Sequence, residues 1–225
     1  QKLSKRHGAV SVMQYDDEGY LPEAVNNYLA RLGWSHGDDE VFSREQFVEW
    51  FDLNHITPSA AQFNTQKLNW LNAHYIKQAD VNRLAADARR RLAERNAQDT
   101  GLPPVESIVE LYKDRAQTLI ELTDAVEQLQ GHPTPSDELK AQHLTDVTRP
   151  ILAAFRTALE AIEWNVPAIA ACLKSTLSEH GAKMPALAMP VRLALAGQTQ
   201  TPSVDALIAL FPREEVLKRI DQLLA

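Results

Sequence analysis

The chain holds a single cysteine, so no disulfide can close within it and no cysteine cage can hold zinc. Cys172 falls at an apolar position of the helix-like segment NVPAIAACLKSTL, where a free thiol packs as a small hydrophobe; a buried structural role is expected for it, not a nucleophilic one. Long apolar runs are also missing. None approaches the ~20 residues a membrane-spanning helix needs, and the first residues are polar and basic, unlike a signal segment. A cytoplasmic, reducing setting with no membrane contact is the expectation. Strand signals are scarce. AVSVMQY alone reads as extended, which allows at most a short β element near residues 9–15, and no alternating series supports a sheet. No metal site is expected, because His36, His55, His74 and His180 lack ligand spacing with acids or cysteine; solvated or capping roles suit them.

An excess of positive charge is absent as well. The formal net charge is −7, which taken whole argues against a nucleic-acid partner. The distribution qualifies this, since the local field decides where phosphate binds. Residues 1–12 carry Lys2, Lys5 and Arg6 with no acid, whereas residues 15–50 hold nine acids against two bases. Residues 149–192 are basic again, with Arg149, Arg156, Lys174, Lys183 and Arg192 against Glu160, Glu163 and Glu179. The polar N-terminus, opening at Gln1 without a methionine, reads as part of a longer protein.

What is present is helical periodicity. In LPEAVNNYLARLG, Leu21, Ala24, Val25, Tyr28, Leu29 and Leu32 recur at helical spacing and Gly33 follows as a stop. Ser43 with Gln46 forms a capping-box pattern, and Phe42 is placed to staple onto Phe47 across it. A helix through FNTQKLNWLNAHYI buries Phe63, Leu68, Leu71 and Tyr75, capped by Asn64 or Thr65. The next, DVNRLAADARRRLAERN, places Val81, Leu84, Ala88 and Leu92 on one face. Arg89, Arg90 and Arg91 cannot share a face, because successive residues turn about 100°, and they read as solvated surface. After GLPP a long helix is expected through VESIVELYKDRAQTLIELTDAVEQL, with Pro104 in its first turn. GHPTPSDE is a loop, a further helix restarts at Pro150, and the last third is a series of short proline-initiated helices that end near Gly181 and Gly197. Trp34, Trp50 and Trp70 sit at helical spacing and are expected in the core. The chain therefore reads as all-α, with room for one large domain or two to three small ones and seams near residues 73–77 and 131–148.

The most informative segment is the first: Lys2-Leu3-Ser4-Lys5-Arg6-His7-Gly8. Three bases, a hydroxyl and a glycine suit a loop that cradles phosphate, with lysine as point charge and backbone N–H groups as donors. By residue type alone a solvated tail is the favoured reading. KLSKRHG resembles the signature loop of class I aminoacyl-tRNA synthetases in the form typical of glutamyl enzymes. YLPEAVNNYLARLGWSHGDDEVFS, FNTQKLNWLNAHYI and MPVRLALAGQTQTP are also similar to bacterial-type glutamyl-tRNA synthetases, in order along the whole chain.

The resemblance implies a division into a signature loop and tRNA stem-contact domain at 1–76, and helical anticodon-binding subdomains at 77–146 and 147–225. It implies that Lys2, Leu3, Ser4, Lys5 and Arg6 close over ATP, with Lys5 as the catalytic lysine that stabilises charge on the departing pyrophosphate. Arg115 matches the family arginine that reads the third anticodon base; Arg192, Thr201, Pro202 and Val204 match positions at the first two. On the residues alone, the favoured reading of Arg115 is a helix-surface arginine paired with Asp114 or Glu121, and Thr201-Pro202 could be a plain helix cap. The acidic 15–50 stretch confines expected stem contact to a few spots, such as the surface near Lys67.

By the same resemblance the partners are tRNA-Glu and, in a full-length monomeric enzyme, L-glutamate and ATP with Mg2+. No nucleotide-binding βαβ unit or His-x-Gly-His segment is present, so this chain by itself is expected to bind no ATP and to be inactive. A free-standing helical tRNA-binding module and a helical protein scaffold are the competing readings; neither needs KLSKR at its edge.

Overall fold

The computed structural model describes residues 11–56 and 63–225. In chain order its helices are α1 (Val12–Asp17), α2 (Pro22–Arg31), α3 (Arg44–Trp50), α4 (Thr65–Gln78), α5 (Val81–Glu94), α6 (Val105–Tyr112) and α7 (Leu119–Gln130). They continue as α8 (Asp137–His143), α9 (Thr148–Ala158), α10 (Val166–Glu179), α11 (Pro185–Ala196), α12 (Val204–Ala209) and α13 (Arg213–Leu224). The described residues contain no strand; Trp34 and Ile56 form an isolated bridge. Where an extended element was expected near residue 12, α1 forms instead. Ser11 caps it by accepting from Met13 N, and Val12 and Met13 point to solvent, so the apparent alternation buries only Tyr15.

The chain divides into two compact units, residues 1–95 with 112–124 and residues 96–111 with 125–225. The chain leaves the first unit after α5 and returns to it for the segment around Arg115. In the first unit α2 packs on α4 around Tyr15, Tyr20, Val25, Tyr28, Leu68 and Leu71, with Phe63 and Tyr75 at the margin. Capping is as the sequence indicates. Ser43 and Gln46 close a reciprocal box at α3, Asn64 caps α4, and the Phe42 and Phe47 rings stack at 5.6 Å.

Two readings of side-chain burial change. Arg91 is buried: its guanidinium binds Asp87 (2.7 Å) and both the carboxylate and the carbonyl of Asp16 (2.9 and 2.7 Å). Arg90 spans Asp16, Asp87 and Glu94 while its side chain stays partly open to solvent, so Arg90 and Arg91 meet α1 and the acids of their own helix. Of the tryptophans, Trp34 is core and Trp50 is half-buried against His36, but Trp70 is 49% exposed. Leu68, Leu71, Asn72 and Ile76 already fill the buried face of α4, and Trp70 falls on the other side.

In the second unit α11 is the central element. It is apolar nearly all round and packs against α8, α9, α12 and α13, burying Leu187, Val191, Leu193 and Leu195. It ends at Gly197, whose φ of 66° is left-handed and whose missing Cβ leaves room for the backbone of Thr134. Arg219 of α13 is 4% exposed and closes this unit: it pairs with Glu215 (2.8 Å), donates to the carbonyls of Leu195 (2.9 Å) and Gly131 (3.0 Å), and lies over the Phe211 ring. Those carbonyls lie in the last turn of α11 and just past the end of α7, where helix C-termini leave acceptors unsatisfied. Cys172 is buried, and burial pushes its thiol pKa up, which suits packing over reactivity.

Candidate nucleic-acid interface

Arg115 does not lie on a helix. The long helix expected from residue 105 to 129 is broken into α6 and α7, and Arg115 sits in the turn between them. The break has a local cause. Thr118-Leu-Ile-Glu121 is a hydroxyl-x-x-acid pattern that starts a helix: Glu121 N donates to Thr118 Oγ1 (3.3 Å), and Gln117 N donates back to the Glu121 carboxylate (2.9 Å). This signal was legible in the sequence and outweighs the continuous apolar period across it.

The first unit then holds the turn in place. Asn72, wholly buried on α4, donates to the carbonyls of Gln117 (2.6 Å) and Gly19 (3.2 Å) and accepts from Leu21 N (2.8 Å). Leu119 N donates to Gly19 O (2.9 Å), and a Cβ on Gly19 would stand 2.8 Å from Ile120 N. Lys77 at the end of α4 approaches Asp114 (3.7 Å). Neither expected partner therefore holds Arg115: Glu121 is engaged as a cap and Asp114 faces Lys77. Arg115 itself is exposed and has no hydrogen bond or ion pair from its side chain among the described residues. The Arg115 guanidinium thus presents all its donors to solvent from a turn held by buried hydrogen bonds.

In the second unit, Arg192 and Val204 line one cleft of ≈ 410 Å³ between α10, α11 and the start of α12. Arg192 is half-buried and loosely held, with Nη2 at 3.4 Å from Pro202 O, Nη1 at 3.8 Å from Met189 Sδ, and Nε buried without a partner. Thr201 is not the cap that its sequence suggests. Its hydroxyl donates to Pro202 O (3.0 Å), Ser203 occupies the cap position, and α12 begins at Val204. Thr201 and Pro202 thus shape the loop on which Arg192 rests. The cleft also takes in Lys174, Ser203 and Asp205, which the sequence did not single out. Lys174 is exposed and without an ion pair among the described residues; its position on α10 is linked to Arg192 only by packing, so no local pattern marks it.

Lys2, Leu3, Ser4, Lys5 and Arg6 lie outside the described residues. Among the described residues no three His, Cys, Asp or Glu side chains converge as a metal site, and no helix is long and apolar enough to cross a membrane.

An all-helical chain presenting two such cationic sites is of the kind that reads exposed RNA bases with side chains from helix ends and loops. Residues 55–224 match the family model described as "Anticodon binding domain", and the chain belongs to that family. Residues 1–70 match the catalytic domain of "tRNA synthetases class I (E and Q)". Among curated relatives, the glutamate–tRNA ligase of Azoarcus sp. is 62% identical over 97% of this chain and 47% of its own length. That of Burkholderia multivorans is 56% identical over the whole chain and 49% of its own length. Of solved structures, a glutamate tRNA ligase from Elizabethkingia meningosepticum in complex with its amino acid superposes with a TM-score of 0.82 at 26% identity, covering 93% of this chain and 42% of that one. Glutamate-tRNA synthetase from Elizabethkingia anophelis gives 0.78 at 28%, with the same coverage. The chain spans about half the length of the curated relatives it matches.

Proposed function

We propose that this chain is the tRNA-binding part of a glutamate–tRNA ligase that joins L-glutamate to tRNA-Glu through glutamyl-adenylate, with ATP as co-substrate and Mg2+ as its counter-ion. The observation that carries the reading is the unpaired Arg115 on its buttressed turn, inside the span that matches the anticodon-binding family. In this reading Arg115 meets the third anticodon base. A guanidinium offers donors to cytosine O2 and N3 and mismatches the donors on a guanine edge, so it favours glutamate over glutamine anticodons. Arg192, on α11 against the loop shaped by Thr201 and Pro202 and beside Val204, meets the first two bases. Its weakly engaged Nη groups are the donors available there, and Lys174 adds charge for the intervening phosphate.

The threefold division is proposed as one of contact: residues 1–76 on the tRNA stem, 77–146 and 147–225 on the anticodon. Lys2, Leu3, Ser4, Lys5 and Arg6 are proposed to hold ATP in the intact ligase, with Lys5 stabilising the departing pyrophosphate; a cytoplasmic setting and a monomer go with this reading. The match of residues 1–70 to a synthetase catalytic domain favours it over a free-standing module or a scaffold.

The test is Arg115→Gln in the intact ligase. Replacing the forked cation should relax rejection of tRNA-Gln by about ten- to a hundredfold in the ratio of kcat/KM values, the span of one bidentate base contact. An unchanged ratio removes Arg115 from anticodon reading.

A further inference from the structure

The segment from Gly197 to Ser203 has no regular structure, yet it borders the Arg192 cleft: Thr201 and Pro202 are buried in it, and Pro202 O takes Arg192 Nη2 at 3.4 Å. An irregular segment keeps one conformation only where contacts offset the entropy of ordering it. At its far end Val204 is buried as α12 begins. At its near end the tie comes from another helix. Gln128, half-buried on α7, spends both ends of its side-chain amide there: Nε2 donates to Ala196 O, and Oε1 accepts from Gln198 Nε2 (2.6 Å). Ala196 is the last residue of α11, so its carbonyl has no N–H within that helix to accept from. One residue on, Gly197 in its left-handed turn lies against the backbone of Thr134, where a Cβ would stand 3.3 Å from Thr134 N. All of these residues belong to the second compact unit.

We propose that Gln128 is a positioning residue for the reading of the first two anticodon bases: it sets where the 197–203 segment starts and, through Pro202 O, where the Arg192 guanidinium rests. The inference rests on the reading of the Arg192 cleft given above. Glutamine fits this task because it donates and accepts from one planar group. Glutamate would turn only acceptor oxygens toward the Ala196 carbonyl, and methionine, of like length, offers neither function. Arg192 is held by two long contacts, to Pro202 O and Met189 Sδ, so its guanidinium follows the segment when the segment shifts. A displacement of about 1 Å in such a group is enough to cost up to roughly a hundredfold in rate.

The experiment measures kcat/KM of the intact ligase for tRNA-Glu, for tRNA-Glu changed at one of the first two anticodon bases, and for tRNA-Glu changed at the third. The variants are Gln128→Met, Gln198→Ala, the two together, and Arg192→Gln, each with its melting temperature. Gln128→Met keeps the bulk on α7, and Gln198→Ala breaks the same bond from the other side while leaving both helices whole. Each of these two changes should reduce discrimination at the first two bases by about fivefold or more, the lower end of one base contact, and leave the third-base ratio at the parental value. The double variant should be no worse than Gln128→Met alone, because two partners of one bond are not additive. Discrimination that falls at all three bases together, in step with the melting temperature, would make Gln128 a structural brace only and overturn the inference. Losses that add in the double variant would overturn it as well. If Arg192→Gln relaxes reading of the first two bases and neither glutamine change does, the role of Gln128 is overturned while the reading of the cleft stands. If Arg192→Gln also leaves those bases at the parental ratio, the reading of the cleft fails and the inference falls with it.

Discussion

Asn72 and Arg219 are the two residues whose loss should cost most for their size. Asn72 spends its whole side-chain amide on backbone groups of Gly19, Leu21 and Gln117. Asn72→Ala leaves Leu21 N and Gln117 O without this partner, while Gly19 O keeps Leu119 N, at about 1–3 kcal/mol for each group left unpaired before relaxation. It should lower the melting temperature and also blunt discrimination between tRNA-Glu and tRNA-Gln in the intact ligase, because the Arg115 turn loses its anchor. A melting shift with intact discrimination would confine Asn72 to stability. Arg219 is a buried cation with an acidic partner, two carbonyls and a ring around it. Arg219→Ala strips Glu215 of its hydrogen-bonded partner and should destabilise the second unit by about 3–5 kcal/mol, read from chemical denaturation. Both residues are polar and buried, a combination that composition cannot reveal. Helical spacing placed Asn72 next to Leu71 without saying which of the two neighbours turned inward as a donor.

At the scale of elements, the informative event is the break between α6 and α7. Apolar residues continue at helical spacing from Val105 to Leu129, and the period alone favours one helix. Thr118 and Glu121 end that continuity with side-chain hydrogen bonds that satisfy the N–H groups of a new helix start. Thr118→Ala should destabilise the first unit by about 1 kcal/mol, the usual worth of an N-cap, measured by urea denaturation. No change would mean that tertiary contacts from Asn72 and Gly19 hold the turn unaided. The contrasting case is α3, where Ser43, Gln46, Phe42 and Phe47 behave as their spacing indicates. A capping box is a local device, complete within four residues, and needs nothing from the rest of the chain.

For the molecule as a whole, acid stability follows from its arginine–carboxylate pairs. Burial pushes the Glu23 and Glu215 carboxyls up, but the hydrogen bonds and charge of Arg83 and Arg219 outweigh it and hold both below their ordinary 4.5. A carboxylate whose folded pKa is depressed contributes stability that is present above its unfolded pKa and lost as pH falls through the folded value. Thermal stability should therefore be level at neutral pH and decline below about pH 4.5, the range in which an unfolded glutamate protonates. Glu215→Gln should flatten that decline, and an acid limb identical to the parent's would exclude the Arg219 pair as its source. The net charge of −7 adds a mild counter-effect, since protonation relieves self-repulsion.

The amino-acid order by itself determined the all-helical class, the faces of α2, α4 and α5 that turn inward, the caps at Ser43 and Asn64, and the family to which the blocks belong. Each of these depends on residues within a few positions of one another or on a pattern read in order. Only the tertiary structure decided that Arg91 is buried and Trp70 exposed, that Arg115 stands unpaired on a turn, and that Lys174 shares a cleft with Arg192. Those outcomes depend on partners far away in sequence: Asp16 for Arg91, Asn72 and Gly19 for the turn, α12 for the cleft. Periodicity says which side of a helix is apolar. Whether a charged or aromatic side chain on the remaining surface meets a carboxylate, a carbonyl or water is settled when distant segments close around it.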